Sequence, residues 1–173
     1  KLGAVSTDTT APTISSLSPN DNSTYNSPAT TVAVTFSNKM ATGSVTTNTS
    51  DTSCSGSYQL SSDNFTTCIK MSATPSASDN DTAFTATPAD NLSNGTTFKL
   101  RITTSAKDTS SNSLASTYTT NGFTTSPSGT GTIRGSVKMD NGSDFSGVTV
   151  WFSIGDYFSY ESTVTPEETD SNG

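Results

Sequence analysis

Apolar residues in this chain come in short runs, and clusters of turn residues separate the runs. In "TTVAVTFS", Val32, Val34 and Phe36 fall on one face, as a period of two requires. "TTFKLRITT" repeats the pattern, with Phe98, Leu100 and Ile102 on one face and Lys99 and Arg101 pointing out. "SYQLSS" sets Tyr58 and Leu60 on one face, and "TCIKMSA" puts Cys68 in phase with Lys70 and Ile69 with Met71. "PTISSLSP" is anchored by Ile14 and Leu17 and stopped by Pro19-Asn20-Asp21-Asn22. "TAFTATP" and "NGFTTS" complete a set of about seven short strands with frequent turn signals, the pattern of an antiparallel sandwich. A parallel sheet needs crossover helices. No stretch has a convincing 3.6-residue apolar period, although "MATGSV" has room for one helical turn.

The pattern breaks at "SPSGTGT", residues 126–132, a Ser/Gly linker, and then restarts. "TIRGSVKM" and "VTVWFSI" read as strands joined by "DNGSDFSG", and "YFSYESTV" as a third. The expected organisation is an extended segment at 1–10, a sandwich at 11–125, the linker, and a second β unit at 133–173. A unit of about 40 residues rarely holds a core without staples or partners. The closing "TVTPEETDSNG" reads as a turn with another strand due, so either a cut chain or a strand supplied from elsewhere is expected there.

Composition changes the picture in one respect. Only 29% of residues are hydrophobic and 13% charged. Such a chain can be disordered, but its polar positions are filled mainly by Ser and Thr, and Thr is a good strand former. A thin-cored all-β protein is expected. The net charge of −7 and eight unclustered Lys and Arg residues leave no footprint for nucleic acid. No apolar run approaches the roughly 20 residues that span a bilayer. No signal peptide is visible, and the opening "KLGAVSTDTT" reads as a mature or trimmed form.

The two cysteines, Cys54 and Cys68, read as a disulfide closing a short loop, worth about 3 kcal/mol by chain entropy; the alternative is two reduced, buried thiols. The chain contains no His, which removes Ser-His-Asp and Cys-His catalysis and imidazole metal sites. Two carboxylate pairs remain, Asp79 with Asp81 and Asp140 with Asp144. They are candidate Ca²⁺ ligands, but Asp, Asn and Gly are also the residues that hairpin turns require. No other cofactor is expected. Sequons begin at Asn22, Asn48, Asn64, Asn80, Asn91, Asn94 and Asn141, candidates for glycosylation beside the many Ser and Thr hydroxyls. Trp151, Phe152, Tyr157, Phe158 and Tyr160 crowd into ten residues. They are either the core of a small unit or a subunit contact.

Five segments in order along 11–125 resemble the bacterial Ig-like domains of S-layer and other surface proteins. "APTISSLSPNDNS" resembles the family's Pro-led opening strand. "VAVTFSNKM" resembles its central strand and Phe-Ser-x-x-Met corner, at Phe36, Ser37 and Met40. "FTATPADNLSNGTTFKLRIT" carries Pro88, Leu92, Gly95, Thr97 and Phe98 of the strand–Pro–Leu–Gly–Thr–aromatic segment. "AKDTSSNSLAS" carries Asp108, Asn112 and Leu114 of the Asp-x-x-x-Asn-x-Leu loop, and "GFTT" resembles the closing strand. The family often has Gly where this chain has Ser111. Leu92 and Leu114 are expected to plug the sandwich, Gly95 to turn with φ > 0, and Asp108 to bond N–H groups two residues on. "IRGSVKMDNGSDFSGVTVWF" is similar to the first half of a carboxypeptidase-regulatory-like β-sandwich.

The resemblance implies an all-β protein: an Ig-like antiparallel Greek-key sandwich followed by a small or incomplete β-sandwich unit. It implies a non-enzymatic, extracellular structural module of a bacterial surface layer, fibre or multidomain surface protein. Its partners would be further copies or neighbouring domains, with strand complementation between subunits and "KLGAVSTDTT" as a possible donor. Two alternatives stay open. One is an adhesion module that binds glycan or host protein through the loops at 38–57 and 105–122. The other is an accessory domain of a secreted hydrolase.

Overall fold

Alternating apolar positions build two antiparallel sheets that bury a shared core. The computed structural model describes residues 8–128 and two further strands, Thr149–Ser153 and Ser159–Thr163. The chain divides into two compact units, Lys1–Gly129 and Thr130–Gly173. In the first unit, β1 (Ile14–Ser18), β2 (Val32–Phe36), β4 (Ser76–Ser78) and β5 (Ala83–Ala86) form a sheet in the order β1-β2-β5-β4. The second sheet has β3 (Tyr58–Ser61), β6 (Thr97–Ile102) and β7 (Tyr118–Thr119) in the order β3-β6-β7, and β8 (Phe123–Thr124) also pairs with β6. Each pairing is antiparallel.

The core follows the expected phases. Val32, Val34, Phe36, Phe84 and Ala86 from the first sheet meet Tyr58, Leu60, Phe98, Leu100, Ile102 and Phe123 from the second. Phe36 packs edge-on against Phe84 at 5.9 Å, and Phe98 stacks on Phe123 at 6.0 Å, both favoured aromatic geometries. The Tyr58 hydroxyl crosses the core and donates to the Val32 carbonyl at 2.7 Å, so its burial leaves no unmet donor. Ile14 and Leu17 lie three apart, a spacing that sends side chains to opposite faces of a regular strand. A register shift between Ile14 and Ser16 lets both pack on the core.

One expectation fails. "TCIKMSA" is not a strand: Cys68 and Met71 are both buried while Lys70 is exposed, so the phase of two is broken. This segment instead leaves β3 and heads for β4, making single bonds on the way. Ile69 N–H donates to Leu60 O and Met71 N–H to Asn48 O. The strand on this side is Ser76–Ser78, fully exposed and without apolar residues larger than Ala. The possible helical turn in "MATGSV" is a short 3-10 turn at Thr42–Ser44.

In the second unit, β9 (Thr149–Ser153) pairs antiparallel with β10 (Ser159–Thr163), with Tyr160 opposite Phe152 and Glu161 opposite Trp151. Tyr157, Phe158, Asp140, Asp144 and Asn141 lie outside the described residues, as do "TIRGSVKM" and residues 1–7.

Candidate functional site

The two candidate loops, 38–57 and 105–122, are bonded to each other. Ala41 N–H donates to Lys107 O, Thr109 N–H to Lys39 O, and Ser44 Oγ to Lys107 O at 2.9 Å, while Lys107 N–H donates back to Ser44 Oγ. Met40 forms an isolated bridge with Asp108, and its N–H donates to Asp81 O. Three chain segments thus meet at the Phe-Ser-x-x-Met corner, with Met40 only 1% exposed.

Asp108 organises this corner. Its Oδ1 accepts from the N–H groups of Ser110 and Asn112, and its Oδ2 from Asn112 Nδ2 at 2.9 Å. Burial pushes the carboxyl up, but bonds from the Asn112 side chain, the Asn112 and Ser110 N–H groups and Asn38 outweigh it and hold it below the usual carboxylate range. Ser111, where the resembling family often has Gly, has φ of 69°. The turn needs the left-handed conformation, and serine adopts it at a steric cost. Gly95 has φ of 58°, and Leu92 and Leu114 are buried.

Asp79, Asn80 and Asp81 all have positive φ and form the tip between β4 and β5. Lys39 Nζ lies 3.4 Å from Asp81 Oδ2 and 3.2 Å from Asn80 Oδ1. A lysine ammonium on this tip occupies the electrostatic position a cation would want. Among the described residues no group of three or more Asp, Glu, Cys or His side chains converges to hold a metal ion.

Cys54 and Cys68 are joined, with Cα atoms 5.0 Å apart. The bridge fastens residues 62–68 over the outer face of β3, where Gln59 and Ser61 lie buried. Gln59 Nε2 donates to the carbonyls of Cys54 and Gly56, and Arg101 Nε donates to Gln59 Oε1 at 2.7 Å. The Arg101 guanidinium sits 3.9 Å from the centre of the Phe65 ring, a cation–π contact. Asp63 pins the loop: it accepts from the Thr67 hydroxyl and N–H and from Ser61 Oγ, and these bonds lower its pKa to about 2. Ser53 does the same for Asp51, lowering it through its hydroxyl and N–H. Asp63 and Gln59 carry no motif; the signal available was the Ser-Ser-Asp-Asn cluster after β3, a turn composition.

Of the sequon residues, Asn22, Asn64, Asn80, Asn91 and Asn94 are exposed. Asn48 is a correction: it is 2% exposed, and its Nδ2, the atom a glycan would occupy, donates to Asp51 O. The end of the possible donor segment, Asp8–Thr10, is also engaged within its own domain. Asn112 Nδ2 donates to Asp8 O and Asn38 Nδ2 to Thr10 O.

A hollow of about 120 Å³ lies between Pro28–Thr30 and Thr87–Asn91. Small-molecule sites usually need about 300–1,000 Å³. This hollow falls below that range. Among the described residues, no helix is long and apolar enough to cross a membrane.

Two antiparallel sheets around one core, closed by bonded loops, define an Ig-like β-sandwich. The chain belongs to the bacterial Ig-like domain family, whose model matches residues 8–125. No curated protein gives a significant match. Among solved structures the chain is similar to surface layer protein SbsC, domains 1–6, with 19% identity and a TM-score of 0.47 over 68% of this chain and 14% of that one. It is also similar to the N-terminal part of the bacterial S-layer protein SbsC, with 20% identity and a TM-score of 0.48 over 68% of this chain and 24% of that one. The chain thus spans no more than 24% of the length of these structures.

Proposed function

We propose that this chain is a non-enzymatic structural module of a bacterial surface layer, fibre or multidomain surface protein, held outside the cell. The observation that carries this reading is where the polar groups go. Asp51, Asp63, Asp108 and Gln59 all bond to the chain's own backbone, which stiffens the loops they sit in. A disulfide suits an oxidising compartment, which favours an extracellular location. Membership of the bacterial Ig-like family supports the same reading.

Assembly is the finer part of the proposal. Assembly would draw on the β9–β10 pair, whose antiparallel ladder is of the kind that accepts a strand from a neighbouring domain or copy. The test is electron microscopy of thin-sectioned cells labelled with antibody to residues 8–125, with sedimentation of the purified chain across concentrations. Regular surface label and concentration-dependent assembly support the proposal. Label confined to the cytoplasm removes the location, and a monomer at all concentrations removes the assembly.

A further inference from the structure

Residues 22–26, which follow β1, run parallel to residues 122–126 and are bonded to them rung by rung. Asn22 N–H donates to Gly122 O at 2.6 Å and Thr124 N–H to Ser23 O at 2.8 Å. Asn26 N–H donates to Thr124 O at 3.1 Å and Ser126 N–H to Asn26 O at 2.8 Å. Asn26 and Thr125 form a parallel bridge. Side chains lock both ends of this ladder. Asp21 accepts from the Gly122 N–H at 2.7 Å, the Asn121 N–H at 3.2 Å and Asn121 Nδ2 at 3.0 Å, and Asn26 Nδ2 donates to Thr124 O.

We propose that this parallel ladder is a load-bearing clamp that makes the domain resist extension when its chain is pulled from both ends. The direction of pairing is the reason. Tension on the N-terminal side draws 22–26 toward its own start, and tension on the C-terminal side draws 122–126 toward its own end. In parallel segments these pulls oppose each other along one axis. The four backbone bonds are then sheared together instead of opened in turn. Each flank is anchored in a different sheet: β1 pairs with β2, while Phe98 is in register with Phe123 and Thr97 with Thr124. Breaking the clamp is therefore required before the sheets can separate under load. The disulfide lies off this path, since it encloses only β3 among the strands.

The inference rests on the structural-module reading for its use, but the clamp is a property of residues 8–128 and is measured apart from any surface location. The experiment is single-molecule extension of the full chain in two geometries. In one the handles are at the two chain ends. In the other they are at Ser27→Cys and the C-terminal end, which opens the same ladder from one side. Reduction identifies the right event: freeing the 14-residue separation of Cys54 and Cys68, whose Cα atoms start 5.0 Å apart, lengthens it by about 45 Å. The end-to-end geometry is expected to need about two- to fourfold more force, because four bonds fail together. Asp21→Ala is expected to lower the end-to-end force and leave the one-sided force unchanged. Equal forces in the two geometries overturn the clamp. So does Asp21→Ala lowering both forces by the same factor, which would make the carboxylate a general stabiliser.

Discussion

The two sheets treat their outer faces differently. On the first sheet, Ala33, Thr35, Ala83 and Thr85 stand outward and half-buried, small side chains that tolerate water. On the second, Gln59 and Ser61 stand outward and are buried beneath residues 62–68, with Cys54–Cys68 holding that loop down. The core between the sheets is shared, but only one face carries a polar cover. A chain with only 29% hydrophobic residues cannot thicken its core, and a cross-linked cover is another way to exclude water.

The largest expected effect is on what both faces share. Phe84→Ala removes a fully buried ring that packs on Phe36, at a cost of about 3–5 kcal/mol. Chemical denaturation checks it, and both sheets should unfold in one transition. Cys54→Ser comes next, at about 3 kcal/mol. It should lower Tm while leaving near-native strand content by circular dichroism, because the bridge fastens the cover and not the ladders. The third test sets the faces against each other. Gln59→Ala strands Arg101 Nε and two carbonyls and should cost about 1–2 kcal/mol, whereas Thr85→Ala on the open face should stay within about 0.5 kcal/mol. Equal costs would erase the distinction. The smallest effect is of pH. The folded pKa of Asp63 is about 2, and that of Asp51 is also lowered. Their contribution is present above the unfolded value near 3.9 and is lost as pH falls toward the folded values. Acid titration of the denaturation midpoint should show a modest decline there, reduced in Asp63→Asn.

Much of the sandwich was legible because core strands must alternate. Val32, Val34, Phe36, Phe98, Leu100 and Ile102 are buried in the phase their spacing implies. Two of the edge strands were not legible. Ser76–Ser78 and Tyr118–Thr119 are exposed strands, fixed by pairing with a neighbour and not by an apolar period. "TCIKMSA" misled because a disulfide and a crossing between sheets can bury Cys68 and Met71 without alternation. The loops at 38–57 and 105–122 were visible as long connections, but their bonding through Ser44, Lys107 and Asp108 is a tertiary fact with no local signal. Asp79 and Asp81 drew attention as possible ligands through spacing alone, while Asp63 and Asp21, which bind backbone N–H groups, have only turn-like neighbours in sequence.

The claim that Cys54–Cys68 holds a polar cover on the second sheet is tested most directly by residue-resolved amide hydrogen exchange before and after its reduction. Reduction should strip protection from the Cys68 and Ile69 N–H groups, which bond to Thr52 and Leu60, while Val34 and Phe84 in the first sheet keep theirs. Protection that falls equally in both sheets, or not at all at Cys68 and Ile69, contradicts it.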